Sequence, residues 1–216
     1  MTDQNKYIDT LNGVNKYSKK IQGDFTFSFK GVPTNFKVRE FACHDGSDEI
    51  LIDGSLVDLV QACRNKFGVT TINSAYRTLS WNAHEGGAKN SQHVQGKAAD
   101  IVCKNTSPLE VAMFAEAYGA GGVGLYTSFT HVDTRSGKAR WNSTSGREVG
   151  VTTFLQTIKL GSVGKHVEIA QKYLKIKVTG CFDETMKQAT IDFQKSHDLE
   201  ADAIIGVKTW TKLLTA

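Results

Sequence analysis

The sequence predicts an α+β protein in which a domain of mixed strands and helices is followed by a smaller module of three helices. Three observations predict it. The first half holds period-two and short apolar runs typical of strands, interleaved with two capped amphipathic helices. A short polar stretch, NSTSGREVGVTT, then interrupts the pattern. Beyond it the chain reads as three helical segments separated by Gly and Asp.

The stretch DFTFSFKG alternates Phe25, Phe27 and Phe29, which predicts a strand, and NFKVREFACHDGSDEILID reads as an irregular loop with short strand pieces. SLVDLVQACRNKFG is a helix with Leu56, Val60, Cys63 and Phe67 on one face. Ser55 and Asp58 form the capping pair, and Gly68 sits at the stop. VTTINSAYRT predicts a strand ending at Arg77, and AADIVC a short apolar strand. In SPLEVAMFAEAYG, Ser107 caps, Pro108 takes the first turn, Glu110 closes the box and Gly119 ends the helix. Val111, Phe114, Ala115 and Tyr118 form its expected buried face. GGVGLY and FTHVDTR read as a turn and a strand, and ARW closes the unit near Trp141. The helical segments after the linker are GKHVEIAQKYL, DETMKQATIDFQKSH and GVKTWTKLL, with Phe193 and Trp210 expected in their core. The expected division is a first domain over residues 1–145, including an extension over 1–35, a linker over 146–158 and a second domain over 159–216.

Composition narrows the function classes. Of 216 residues, 40% are hydrophobic and 22% charged, ordinary values for a globular protein. No apolar run reaches the roughly 18 residues of a membrane span, so no membrane insertion is expected. The net charge of +4 suits an acidic polymer such as a cell wall. No dense Lys/Arg block interleaves with aromatics, which argues against nucleic acid. Cys43, Cys63, Cys103 and Cys181 form no C-x-x-C pair and are expected as free, mostly buried thiols. The N-terminus lacks a basic start and apolar stretch, so no signal peptide is expected.

The chemistry concentrates in two places. NSQHVQGKAADIV puts His93 and Asp100 seven positions apart, and FTHVDTR puts His131 beside Asp133. Seven extended residues span about 23 Å, so for His93 and Asp100 to share an ion the chain must double back. Gly96, free to adopt a positive φ, marks the place. On a strand, His131 and Asp133 face one side. Together these point to one metal site, with Asp133 either accepting a proton from the attacking water or orienting a ligand.

SQHVQGKAADI with HVDTR resembles the zinc D-alanyl-D-alanine carboxypeptidases and related cell-wall endopeptidases of the M15 peptidase class. The signature S-x-H-x-x-G-x-A-x-D followed by a distal His falls on Ser91, His93, Gly96, Ala98, Asp100 and His131. SAYRT, NAHEGGAKNSQH and GGVGLY are also similar to short phage and prophage members, and the resemblance covers roughly residues 35 to 141. It implies a small antiparallel-sheet domain with zinc (Zn2+) held by His93, Asp100 and His131. It also implies that Arg77 binds substrate, with Ser91 beside it. Family members often carry Glu or His three or five residues before the last ligand, where this chain has Ser128 and Tyr126. A tyrosine hydroxyl donates rather than accepts a proton at neutral pH. The expected catalytic residues are therefore Asp133 as proton acceptor, Tyr126 at the oxyanion and Arg77 on the substrate. His84 is expected in a loop.

The C-terminal module resembles the three-helix bacterial peptidoglycan-binding domain through Gly164, Val167, Gln171, Leu174, GCFDETMKQA, FQKSHDLEAD, Gly206, Thr209, Trp210 and Leu213. It departs from the usual Asp-Gly after the middle helix, which here is Asp202-Ala203. The implied function is a zinc peptidase that hydrolyses peptide stems of bacterial peptidoglycan, as a phage or prophage endolysin or an autolysin. It would act as a monomer at the wall, after holin-type release or non-Sec export. The alternative is a non-catalytic wall-binding protein with a structural metal.

Overall fold

The computed structural model describes residues 7–10 and 13–216. They fall into two compact units, one comprising residues up to 115 together with 120–151, the other 116–119 with 152–216. Each is α/β-mixed or helical in its own right, and no described helix is long and apolar enough to cross a membrane.

The first unit begins with β1 (Tyr7–Thr10), β2 (Val14–Ser18), a short α1 (Lys19–Gln22), β3 (Thr26–Phe29), β4 (Val32–Lys37) and β5 (Glu49–Asp53). Next come α2 (Gly54–Phe67), β6 (Thr70–Ser74), α3 (Leu79–His84), β7 (Ala98–Cys103) and α4 (Pro108–Tyr118). Four strands follow: β8 (Gly122–Leu125), β9 (Thr130–Asp133), β10 (Ala139–Asn142) and β11 (Val149–Gly150). The central sheet has the order β11-β10-β8-β9-β7-β6. It is mixed rather than antiparallel, because β10 runs parallel to β8. The GGVGLY segment, expected as a turn, supplies strand β8.

Burial of one sheet face holds the unit together. Ile101 and Val132 alternate with Asp100, His131 and Asp133 along β7 and β9, Val123 alternates with Gly122 and Gly124 along β8, and all three apolar side chains are buried. Each such side chain contributes about 1.5–3 kcal/mol by leaving water. Helix α2 packs on β7 and β6, with Leu56, Val57, Val60 and Cys63 inward, and Phe67 meets Phe114 of α4 edge-to-face at 5.3 Å. The cap of α2 is Asp53, whose carboxylate accepts from the Ser55 amide, so the helix starts two residues earlier than the expected Ser55–Asp58 pair places it. In α4, Val111, Phe114 and Ala115 are buried as expected, but Tyr118 lies in the last turn and is 43% exposed. All four cysteines are free, and only Cys181 is exposed.

The second unit carries α5 (Lys165–Tyr173), α6 (Glu184–Ser196) and α7 (Val207–Thr215). It contains a repeat that the sequence hides. Gln171 and Gln194, 23 residues apart, are both buried and make the same bonds. Each Nε2 donates to a side-chain oxygen eight residues on (Thr179 or Asp202) and to a carbonyl ten residues on (Cys181 or Ile204). Each Oε1 accepts the amide nine residues on (Gly180 or Ala203). Both loops pass through left-handed residues at matching positions, Lys175 with Asp198 and Gly180 with Ala203. Ala203 at φ 61° thus keeps the turn that a glycine would ordinarily make. Trp210 is fully buried and donates to the Gln156 carbonyl at 2.7 Å, whereas Phe193 is half-buried and stacks on His197.

Candidate metal centre

One row of residues crosses all six strands of the sheet. The register aligns Ser74 with Asp100, Asp100 with His131, His131 with Gly124, Gly124 with Trp141, and Trp141 with Gly150. His93 joins the row from the loop before β7. That loop doubles back at Gly96 (φ 68°), where the Gly96 amide donates to the His93 carbonyl. A Cβ at Gly96 would stand 2.5 Å from the Leu51 carbonyl oxygen, so the turn requires glycine twice over.

His93, Asp100 and His131 are all buried, and one ligand atom from each converges. His93 Nε2 lies 3.2 Å from His131 Nδ1 and 3.4 Å from Asp100 Oδ1, and His131 Nδ1 lies 3.0 Å from Asp100 Oδ1. The outer ring nitrogens fix the tautomers. His93 Nδ1 meets the Ala75 carbonyl at 2.7 Å, which can only accept, so that nitrogen carries the proton. His131 Nε2 meets Asp133 Oδ2 at 3.1 Å and donates to it. Neutral rings therefore aim two lone pairs, with a carboxylate oxygen, at one point. Two nitrogen lone pairs and a carboxylate oxygen converging in this way form a donor set suited to a cation. A tetrahedral ion with ligands at about 2.0–2.1 Å sets its ligand atoms roughly 3.3 Å apart, which matches the three edges.

Burial opposes charge on His131, but the carboxylates of Asp100 and Asp133 on its two nitrogens outweigh burial and raise its pKa. Burial likewise would raise the Asp100 carboxyl. Hydrogen bonds from His131 and His93 reverse this and hold it well below the usual carboxylate range.

Asp133 is fully buried behind His131, on the ring edge away from the triangle. Arg135 closes over it, with Nε 2.8 Å from Oδ1 and Nη2 2.5 Å from Oδ2. Asp133 and His131 do share a strand face as expected, but the carboxylate has no path to the open side of the centre. Gly122 makes this possible, since a Cβ there would lie 2.0 Å from Asp133 Oδ2. Gly124 does the same for Trp141, whose indole packs 5.0 Å from the His131 ring. Gly122 and Gly124 are thus bare strand positions beneath two large neighbours.

The triangle opens onto a cleft of about 810 Å³ whose lining includes Arg77, Ser91, Tyr126, Arg135, Trp141 and Glu148. Arg77 donates from Nε to Ser74 Oγ and from Nη2 to Asp100 Oδ2, both at 2.8 Å. It therefore steadies the carboxylate of the triangle and faces the cleft as well. Ser91 Oγ accepts the His93 amide at 3.3 Å. The Tyr126 hydroxyl accepts from Trp141 Nε1 at 3.1 Å, and burial raises its pKa, which keeps it protonated. Ser128 is exposed and outside the cleft lining. His84 ends α3, exposed, with its ring stacked on Trp81. The contributions of Trp141, Arg135 and Ala75 escaped the sequence reading. Only Arg135 left a signal there, by falling on the same strand face as His131 and Asp133.

Residues 33–133 match the family model described as Peptidase M15, and residues 165–213 match that of a putative peptidoglycan binding domain. The Probable peptidoglycan L,D-endopeptidase MepK of Haemophilus influenzae is 42% identical over 66 residues, 27% of this chain and 36% of that protein. The chain thus matches about a third of that relative's length. Among solved structures, a peptidoglycan-binding protein from Clostridioides difficile in complex with glutamine hydroxamate is 32% identical. It covers 32% of this chain and 46% of that one, with a TM-score of 0.28. A fused Zn-dependent amidase/peptidase/peptidoglycan-binding domain-containing protein from Clostridium acetobutylicum is 30% identical over 27% and 28% of the two chains, with a TM-score of 0.27.

Proposed function

We propose, on the premise that residues 33–133 belong to the M15 peptidases and residues 165–213 form a peptidoglycan-binding domain, that this chain is a zinc peptidase cutting peptide stems of peptidoglycan. The observation that carries the reading is the lone-pair triangle of His93, Asp100 and His131 at the floor of an open cleft. A structural zinc site is closed by four protein ligands, whereas a catalytic one keeps a position for substrate. Here three ligands face a cleft, which favours catalysis over the wall-binding alternative.

His93, Asp100 and His131 would hold the ion. When bound, it supplies Lewis acidity toward the scissile carbonyl and eases deprotonation of the attacking water. Arg77 keeps Asp100 in place and offers its remaining N–H edge to a substrate carbonyl or carboxylate. Tyr126, a donor held by Trp141, stabilises negative charge developing on the carbonyl oxygen. Ser91 holds the turn that presents His93. Asp133 takes the orienting role: it fixes the His131 tautomer and keeps its inner nitrogen bare. Its burial under Arg135 leaves the proton-acceptor role unsupported.

In this reading the peptidase domain spans residues 1–145, and a three-helix module beginning near residue 159 tethers it to the wall, which raises local substrate concentration without joining the chemistry. Such a chain fits a phage or prophage lysin or an autolysin. The name of the MepK relative makes an endopeptidase the first activity to test. Purified peptidoglycan digested by the zinc-loaded protein should release new amino groups, and mass spectrometry of the fragments identifies the bond. Release equal to that from His93→Ala protein would refute the reading.

A further inference from the structure

Most charged side chains of the cleft are committed to protein partners. Asp100 is held by both histidines and Arg77. Glu85 meets the His84 ring at 3.3 Å. Arg135 is clamped on Asp133, and Arg140 donates to the carbonyls of Gly121, Ala139 and Ala120. Glu148 differs. It is exposed, lines the cleft, and forms neither a hydrogen bond nor an ion pair among the described residues.

Strand β11 sets its position. Trp141 pairs with Gly150, Asn142 with Val149, and the Val151 amide donates to the Arg140 carbonyl at 3.0 Å. The short strand thereby carries Glu148 along the edge of β10 to the cleft. Glu148 lines the same cleft as Arg77, Tyr126 and the three residues of the metal centre. Lys138 and Arg135 line the cleft near the opposite end of β10. Among the described residues the cleft thus offers an uncommitted cation at Lys138 and an uncommitted anion at Glu148.

We propose that Glu148 is a specificity residue that receives a free ammonium group of the peptide substrate, so that the cleft prefers peptides with an uncapped amine at that position. An exposed carboxylate without a protein partner, in the lining of the cleft, is a receptor for an ammonium ion. The inference rests on the peptidase reading and adds the class of peptide accepted. The amine has two sources, a diamino-acid side chain or the peptide's own N-terminus, and both present the same chemistry.

The test uses the full zinc-loaded chain and one lysine-containing stem peptide in three forms: unmodified, Nε-acetylated and Nα-acetylated. For wild type, one acetylation should lower kcat/KM by about 5-fold, as befits a partly exposed charge pair, and the form affected identifies the source. Glu148→Gln should shrink that ratio below about 2-fold, and Glu148→Lys should invert it. Circular dichroism and zinc content check that both variants fold. A ratio unchanged in Glu148→Gln, or three wild-type rates that coincide, would overturn the proposal. If wild type cleaves none of the peptides, the peptidase reading fails separately. Equilibrium binding of the same peptides then decides: a Glu148-dependent preference supports the proposal, and its absence overturns it.

Discussion

Replacing Gly122 by alanine tests how the strand pairing builds the centre. The new Cβ would stand 2.0 Å from Asp133 Oδ2 and 2.4 Å from its Cγ, where ordinary contact begins at 3.4 Å. The carboxylate must therefore retreat by about 1.4 Å, the difference between those two distances. Its bond to His131 Nε2, now 3.1 Å, cannot survive that shift, and its grip on Arg135 loosens. Overpacking of this kind costs about 1–3 kcal/mol of stability. Loss of the carboxylate behind a metal-binding histidine costs about 10–100-fold in metal affinity. Zinc competition against a chromophoric chelator reads the affinity, and a thermal melt followed by circular dichroism reads the stability. Gly137→Ala is the control, because its Cβ would meet nothing within 4 Å. If Gly122→Ala binds zinc as tightly as the Gly137→Ala protein, Asp133 does not support His131 and the account of this layer is wrong.

Two further outcomes concern the second unit. Ala203→Gly relieves a left-handed alanine, worth about 1–2 kcal/mol in the folded state, against about 0.4–1 kcal/mol of added freedom in the unfolded chain. Denaturant unfolding should show a net gain of about 0.5–1 kcal/mol, and a loss would mean that Ala203 is not held left-handed. His166 has its pKa lowered by burial, partly offset by its bond to the Phe154 carbonyl at 3.0 Å. With the folded pKa below the unfolded one, the unfolded chain protonates first. The stabilisation is complete above pH of about 6.5 and is lost as pH falls through the folded pKa. Thermal melts between pH 8 and pH 5 should therefore fall less steeply for His166→Gln than for wild type; parallel curves would contradict the assignment.

How much of this was legible in the sequence depends on how local each cause is. The turn at Gly96 was legible because one glycine between two ligand-type residues announces a reversal. Helices α2 and α4 were legible from periodicity and flanking glycines, although the cap of α2 moved to Asp53 because aspartate, serine and a following amide compete within three residues. Strand β8 was read as a turn because its glycines carry turn propensity. Their cause lies far along the chain, in the bulk of Asp133 and Trp141. Helix α3 was too short for a period to show, and β11 exists only through its partner β10. Strand alternation put Asp133 beside His131 but could not reveal that Arg135 would seal it. The repeat in the second unit stayed hidden because it resides in Gln171 and Gln194 bonding to backbone, while their neighbours diverge.

The most direct measurement is anomalous X-ray diffraction at the zinc absorption edge from crystals of the full chain grown with zinc. The account predicts a single strong peak within about 2.0–2.3 Å of His93 Nε2, an Asp100 carboxylate oxygen and His131 Nδ1, with one side open to the cleft. Saturating zinc with no peak at that point, or a peak bound by a different set of side chains, would contradict it.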